Sequence, residues 1–130
     1  MSIIAVQSKG SFGKIDRFLK KNQHLSLNRY LKMYGQKGVE ALSNATPRDT
    51  GLTADSWRYS IEKDEKKKII RIVWYNDNVV DEWYNVALMI QYGHATKNGT
   101  YVEGIDYINP ALKSIFDDLA KDIWEEVNRV

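Results

Sequence analysis

Few side chains in this sequence have the types and spacing that chemistry needs. Asp49-Thr50-Gly51 presents a carboxylate of the kind that, shared across a homodimer, hydrolyses peptide bonds. His94, two residues after Tyr92, could serve as a general acid or base on a loop. Lys66-Lys67-Lys68 form a cationic run that could reach phosphates, and Asp117-Asp118 and Glu125-Glu126 are adjacent carboxylates.

Each of these has a plainer reading. Asp-Thr-Gly carries the catalytic carboxylate of aspartic proteases, and single-domain retroviral-type proteases are about this size. In those enzymes the triplet follows a hydrophobic strand, whereas the polar run Ser43 to Arg48 precedes it here. Their apolar strand ending in Ile-Gly-Arg or Ile-Gly-Asn has no counterpart near this C-terminus. The stretch therefore reads as a stiff corner, and the protease reading ranks last. Pro47 ends the preceding helix, Asp49 and Thr50 can bond neighbouring amides, and Gly51 permits a positive φ. Adjacent carboxylates point in different directions on a helix and cannot form a dyad. His24 and His94 are the only histidines, and neither has a second ligand at metal-binding spacing. With no cysteine, no glycine-rich phosphate loop and no nucleophile elbow, the expectation is a non-enzyme without cofactor or metal.

The elements that position these residues follow from periodicity. Ser2 to Val6 reads as a short edge strand, and Ser11 caps a short helix over Phe12 to Lys21. A longer helix is expected from Leu25 to Ala45, because Leu27, Tyr30, Leu31, Tyr34, Ala41 and Leu42 share one stripe. Gly35 and Gly38 each weaken it by roughly 1 kcal/mol relative to alanine, which points to another backbone close by or to a kink. After the corner, Trp57, Tyr59 and Ile61 alternate with polar residues, and Ile70, Ile72 and Trp74 alternate with Arg71, Val73 and Tyr75. Asp55 to Tyr75 is thus an antiparallel hairpin turning at Asp64 to Lys67, with Lys66, Lys67 and Lys68 at its tip or solvent edge.

Further on, Asp81 to Tyr84 reads as one helical turn and Val86 to Ile90 as a central strand. That strand ends at Tyr92 to Thr96, and a polar loop follows. The last helix starts with Asn109 as N-cap and Pro110 in first position; Leu112, Ile115, Phe116, Leu119, Ile123, Trp124 and Val127 form its buried stripe. The fold class is α+β: a small antiparallel sheet packed against a long N-terminal helix and a C-terminal amphipathic helix.

Its 130 residues suffice for one domain that buries a core without disulfides or metals. The lack of cysteine fits a reducing cytoplasm. Met1 to Val6 is too short for a signal sequence, and no apolar run nears the roughly 18 residues of a membrane span, so no membrane partner is expected. The net charge of +2 hides an asymmetry. Lys9 to Lys37 holds eight bases and one acid, whereas Glu103 to Arg129 holds seven acids and three bases. Such faces fit a nucleic-acid surface, neighbouring subunits of opposite sign, or two solvated helices.

Three pieces, in this order, resemble the head-tail joining (neck or tail-completion) proteins of tailed bacteriophages and prophages. Pro47-Arg48-Asp49-Thr50-Gly51-Leu52, running into Ser56-Trp57, looks like the family's Pro-x-Asp-Thr-Gly-x-Leu-x-x-Ser corner. Ile90-Gln91-Tyr92-Gly93-His94-Ala95-Thr96 is similar to its Val-Glu-x-Gly-Thr strand end, with Gln91 where the family usually has an acid. Tyr107-Ile108-Asn109-Pro110-Ala111-Leu112 is similar to its Pro-Phe-Leu-x-Pro-Ala entry into a terminal helix. The resemblance implies a structural subunit without catalytic residues, assembled in the host bacterial cytoplasm and located at the neck or tail end of the virion. Its implied partners are neighbouring copies in a ring, a head-side connector and a tail-terminator protein. DNA would pass through the lumen without sequence-specific binding. The assembly contacts this suggests are Tyr92, Gly93 and His94, together with Lys66, Lys67 and Lys68. The alternative is a small nucleic-acid-binding module that uses the lysines.

Overall fold

A computed structural model of the chain describes residues 3–7, 27–48, 51–67 and 69–128. The helix expected over Phe12 to Lys21, and His24, lie outside the described residues. The described part is α+β, as its sequence periods require. Strand β1 (Ile3–Gln7) is followed by helix α1 (Leu27–Ala45), a single helical turn α2 (Gly51–Ala54), and the hairpin β2 (Trp57–Lys63) and β3 (Ile69–Asn76). Next come a ribbon of β4 (Val79–Val80) and β5 (Tyr84–Asn85), helix α3 (Val86–Tyr92), a second ribbon of β6 (Gly93–Ala95) and β7 (Tyr101–Glu103), and helix α4 (Ile108–Asn128).

The main sheet is antiparallel in the order β1-β3-β2, which makes β1 the edge strand that its β-branched residues suggest. In the hairpin Tyr59 lies opposite Trp74 and Ile61 opposite Ile72, so all four share the face that the helices cover. A register shift between Glu62 and Lys63 precedes the tip, where the Lys67 amide bonds the Asp64 carbonyl. Val73, which alternation puts on the opposite face of β3, is buried as well.

Helix α1 crosses the sheet, and α4 packs against α1. Leu42 near the end of α1 shares a core with Ile108 and Leu112 at the start of α4, while Tyr30, Leu31 and Tyr34 share another with Ile115. The two helices are therefore antiparallel. Trp74 and Phe116 join sheet and α4 through rings 5.9 Å apart. Burial of side chains this size stabilises the fold by roughly 1.5–3 kcal/mol each. Trp124 departs from its expected place: it is 66% exposed, because one residue past Ile123 the helix has turned about 100° out of the α1 seam. Gly35 and Gly38 mark the close approach that their presence in a helix implied, but aromatic rings make it rather than another backbone. The Tyr59 ring lies against Gly35, and the Trp74 indole against Gly38.

Two local expectations are corrected. Val86 to Ile90 is not a central strand but most of α3; Asn85 stands as its N-cap, with extended backbone and a side chain that accepts from the Leu88 amide at 3.3 Å. Ala87 and Gln91, four apart, are its buried face, and β3 takes the centre of the sheet between β1 and β2. Asp81 to Tyr84 is not a helical turn but the bend of the β4–β5 ribbon, because Asp81 and Glu82 take the left-handed conformation, with φ of 53° and 66°.

Tyr107, at the foot of α4, donates its hydroxyl to the Ala87 carbonyl at 2.7 Å. Burial pushes this hydroxyl up to about 12, while contact with the Thr46 hydroxyl acts weakly the other way. Tyr34 is shifted in the same direction, first by burial and then by its hydrogen bond to Asp122 and the nearby acid charges. A raised pKa in the folded state means that stability is fully present below the unfolded value near 10 and is lost as pH rises through the folded one. Urea midpoints should hold up to about pH 10 and then fall. In Tyr107→Phe the alkaline loss should shrink by on the order of 2 kcal/mol.

Candidate functional site

The corner that resembles the family's first motif is a joint of buried polar groups. Helix α1 ends where the Thr46 hydroxyl bonds back to the Leu42 carbonyl at 2.6 Å, and Pro47 bars a further turn. The same hydroxyl accepts the Trp57 indole N–H at 2.9 Å, which ties the helix end to the first residue of β2. Asn76, at the end of β3, donates to the Thr53 carbonyl at 2.8 Å, and Asn78 donates to the Thr53 hydroxyl at 2.8 Å. Asn85 then donates to the Asn76 carbonyl at 3.3 Å, so one chain of bonds connects α2, β3 and the foot of α3. Thr46, Thr53, Asn76 and Asn85 are all buried, as is Ser56, whose hydroxyl donates to the Leu52 carbonyl at 2.6 Å, and these partners are what make that burial tolerable.

Asp49 and Thr50 lie outside the described residues; Pro47 and Gly51 flank them. Gly51 does not have the positive φ that the turn reading gave it, since it opens the α2 turn. A Cβ there would meet only the Asp55 carboxylate, at 3.9 Å. Gly51→Ala should therefore leave stability unchanged or raise it by up to about 1 kcal/mol, as a thermal melt would show.

Tyr92, Gly93 and His94 sit where α3 passes into the β6–β7 ribbon. Gly93 caps α3 with a φ of 81°, and a Cβ on it would lie 2.5 Å from the Tyr101 hydroxyl and 2.6 Å from the Val102 carbonyl. Only glycine fits. The Tyr101 hydroxyl donates to the Tyr92 carbonyl at 3.1 Å, and the Ile105 amide bonds the Ile90 carbonyl at 2.9 Å, so the ribbon is pinned at its base. Tyr92 and Tyr101 remain mostly exposed, and Val102 and Ile105 are exposed with them. His94 pairs with Val102 in the ribbon, with its Nδ1 buried and unpartnered among the described residues.

Sequence reasoning missed two features of this region. Gln91 is the cap of α4: its Oε1 accepts the Tyr107 and Ile108 amides at 3.0 and 2.9 Å, and its Nε2 donates to Asp106 at 2.7 Å. The helix thus begins at Ile108, two residues earlier than an Asn109 cap implies, and Pro110 still falls where no N–H is needed. The second feature is the β4–β5 ribbon, which exposes Val80, Trp83 and Tyr84. A tryptophan whose strand-register neighbours, Asp81 and Asn85, are both polar was the available signal.

Lys66 and Lys67 are exposed at the β2–β3 tip, and Lys68 lies outside the described residues. The structure does not bring these lysines to Tyr92–His94. They occupy the far end of β3, about 25 Å of strand from the corner that holds α3. A shallow open groove beside the corner has Val39, Ala54 and Trp57 in its lining, with Glu40, Asp55 and Arg58. Among the described residues no three His, Asp or Glu side chains converge as metal ligands, and no helix is long and apolar enough to cross a membrane. Compared with known proteins, the chain matches no family model, no curated sequence and no solved structure.

Proposed function

We propose that this chain is a structural subunit of a tailed bacteriophage or prophage, which completes the tail or joins it to the head by assembling into a ring around the DNA channel. Neighbouring copies, a head-side connector and a tail-terminator protein are its partners, and DNA crosses the lumen without sequence-specific contacts. The reading rests on the three ordered motifs. The observation that carries it in three dimensions is the pair of narrow ribbons at the two ends of α3. They expose Val80, Trp83 and Tyr84 on one side, and Tyr101 and Val102 on the other. Apolar side chains held out on short, pinned ribbons favour contact with other protein surfaces over the enclosure of a small substrate. Deleting the chain from a producing phage should leave filled heads and finished tails unjoined, or tails unfinished, by electron microscopy, with joining restored by expression in trans. Complete infectious particles from the deletion would overturn the proposal.

The exposed tip lysines support the nucleic-acid module as a second reading. It requires duplex binding that survives about 150 mM salt, tighter than the roughly micromolar non-specific range.

A further inference from the structure

Three non-glycine residues among those described have a positive φ: Lys67 at 62°, Asp81 at 53° and Glu82 at 66°. All three lie at the tips of two hairpins. Left-handed backbone is unfavourable for a side-chain-bearing residue, and such conformations gather where a segment is shaped for contact. Each tip is also held in shape. Asp64 accepts the Lys66 amide on its side chain at 2.9 Å and the Lys67 amide on its carbonyl at 2.9 Å. At the other tip, Val80 pairs with Tyr84 across the bend.

The chemistry of the two tips is complementary. One presents Lys66 and Lys67, both exposed. The other presents Asp81, Glu82 and Trp83, with Trp83 83% exposed, and between Arg71 and Lys97 the chain carries three acids and no base. Ammonium groups pair with carboxylates and also stack over indole faces, tryptophan being the best aromatic partner for a cation. Among the described residues, no ion pair within the chain engages Lys66, Lys67, Asp81 or Glu82. The tips cannot meet in one molecule, because β3 separates them by about 25 Å. Contact between two acidic tips would set charge of one sign against itself, whereas the lysine tip keeps a positive excess over its own Asp64 and Glu65.

We propose that the Asp81-Glu82-Trp83 tip of one copy docks on the Lys66-Lys67 tip of a second copy of this chain. The contact joins unlike surfaces, so it repeats from copy to copy and closes where the rotation allows. It specifies the neighbour contact of the ring reading and rests on that reading for its biological setting.

The chain has no cysteine, so single cysteines report the contact cleanly. Purified Glu82→Cys and Lys66→Cys chains, mixed under mild oxidation, should give the mixed disulfide dimer in about tenfold excess over either homodimer, since opposite charge guides the encounter. Adding Lys67→Glu to the second chain should abolish the excess, and adding Asp81→Lys to the first should bring it back. A statistical mixture of dimers, no cross-linking, or an excess indifferent to these reversals would overturn the proposal. Particle joining in the deletion phage is a separate readout. Loss of joining without the cross-link would sink this contact alone, and the cross-link without loss of joining would sink the functional reading alone.

Discussion

Gly38→Ala lowers the unfolding free energy by about 2 kcal/mol or more, although the same exchange inside a solvated helix raises it by about 1 kcal/mol. The sign is reversed by one neighbour. A Cβ on Gly38 would lie 2.4 Å from Nε1 of Trp74 and 2.6 Å from its Cε2, well inside contact distance. The indole has no room to retreat: Trp74 is 1% exposed, its N–H is bonded to the Gly35 carbonyl at 3.0 Å, and its ring is backed by Phe116. Helix α1 must therefore lift off the sheet, which loosens its packing on β2 and β3. Urea denaturation should show a lower midpoint with an unchanged slope. Trp74→Phe, costly alone, should make Gly38→Ala cheaper, because the smaller ring vacates the site; the coupling should be about 1 kcal/mol or more. A stabilising Gly38→Ala would mean that α1 does not rest on Trp74.

The route from sequence to this packing shows what single-chain patterns carry. The stripe of α1, the alternation of β2 and β3 and the stripe of α4 each repeat over enough residues for the period to be read, and all four elements form where expected. Gly35 and Gly38 announced a close approach. What approaches was not legible, because Tyr59 and Trp74 come from strands more than twenty residues away. Val86-Ala87-Leu88-Met89-Ile90 misled because five apolar residues are too few to separate a period of 2 from one of 3.6. Asn85 before the run and Gln91 four residues after Ala87 were the signals for a helix. Gly51 misled because a glycine in a turn-like stretch invites a positive φ, whereas here the first turn of α2 absorbs it. Of the candidate contacts, the exposed Lys66 and Lys67 were legible from the hairpin pattern alone. The Trp83 tip was hidden by reading its turn as helix.

Gln91→Ala should cost about 2–4 kcal/mol, an effect out of proportion to one uncharged polar side chain. Its Oε1 serves two amides that open α4, and burial leaves those amides no water to turn to. Asp106 loses a donor in the same step. The informative variant is Gln91→Glu. A carboxylate suits the positive end of a helix and can still accept both amides, so that half of the site is kept or improved. The other half inverts, because the atom that donated to Asp106 at 2.7 Å becomes a second acceptor. Two carboxylates at that distance raise the pKa of one of them, and a folded-state pKa raised above its unfolded value gives stability that is lost as pH rises through it. Gln91→Glu should therefore be nearly as stable as the parent at pH 5 and weaker at pH 8. Because Asp106 is exposed, solvent screening should hold the difference to about 1 kcal/mol. Adding Asp106→Asn restores a donor opposite the new carboxylate and should erase the pH dependence. A Gln91→Ala loss under about 0.5 kcal/mol, or a Gln91→Glu variant indifferent to pH, would show that the start of α4 is not held by this side chain.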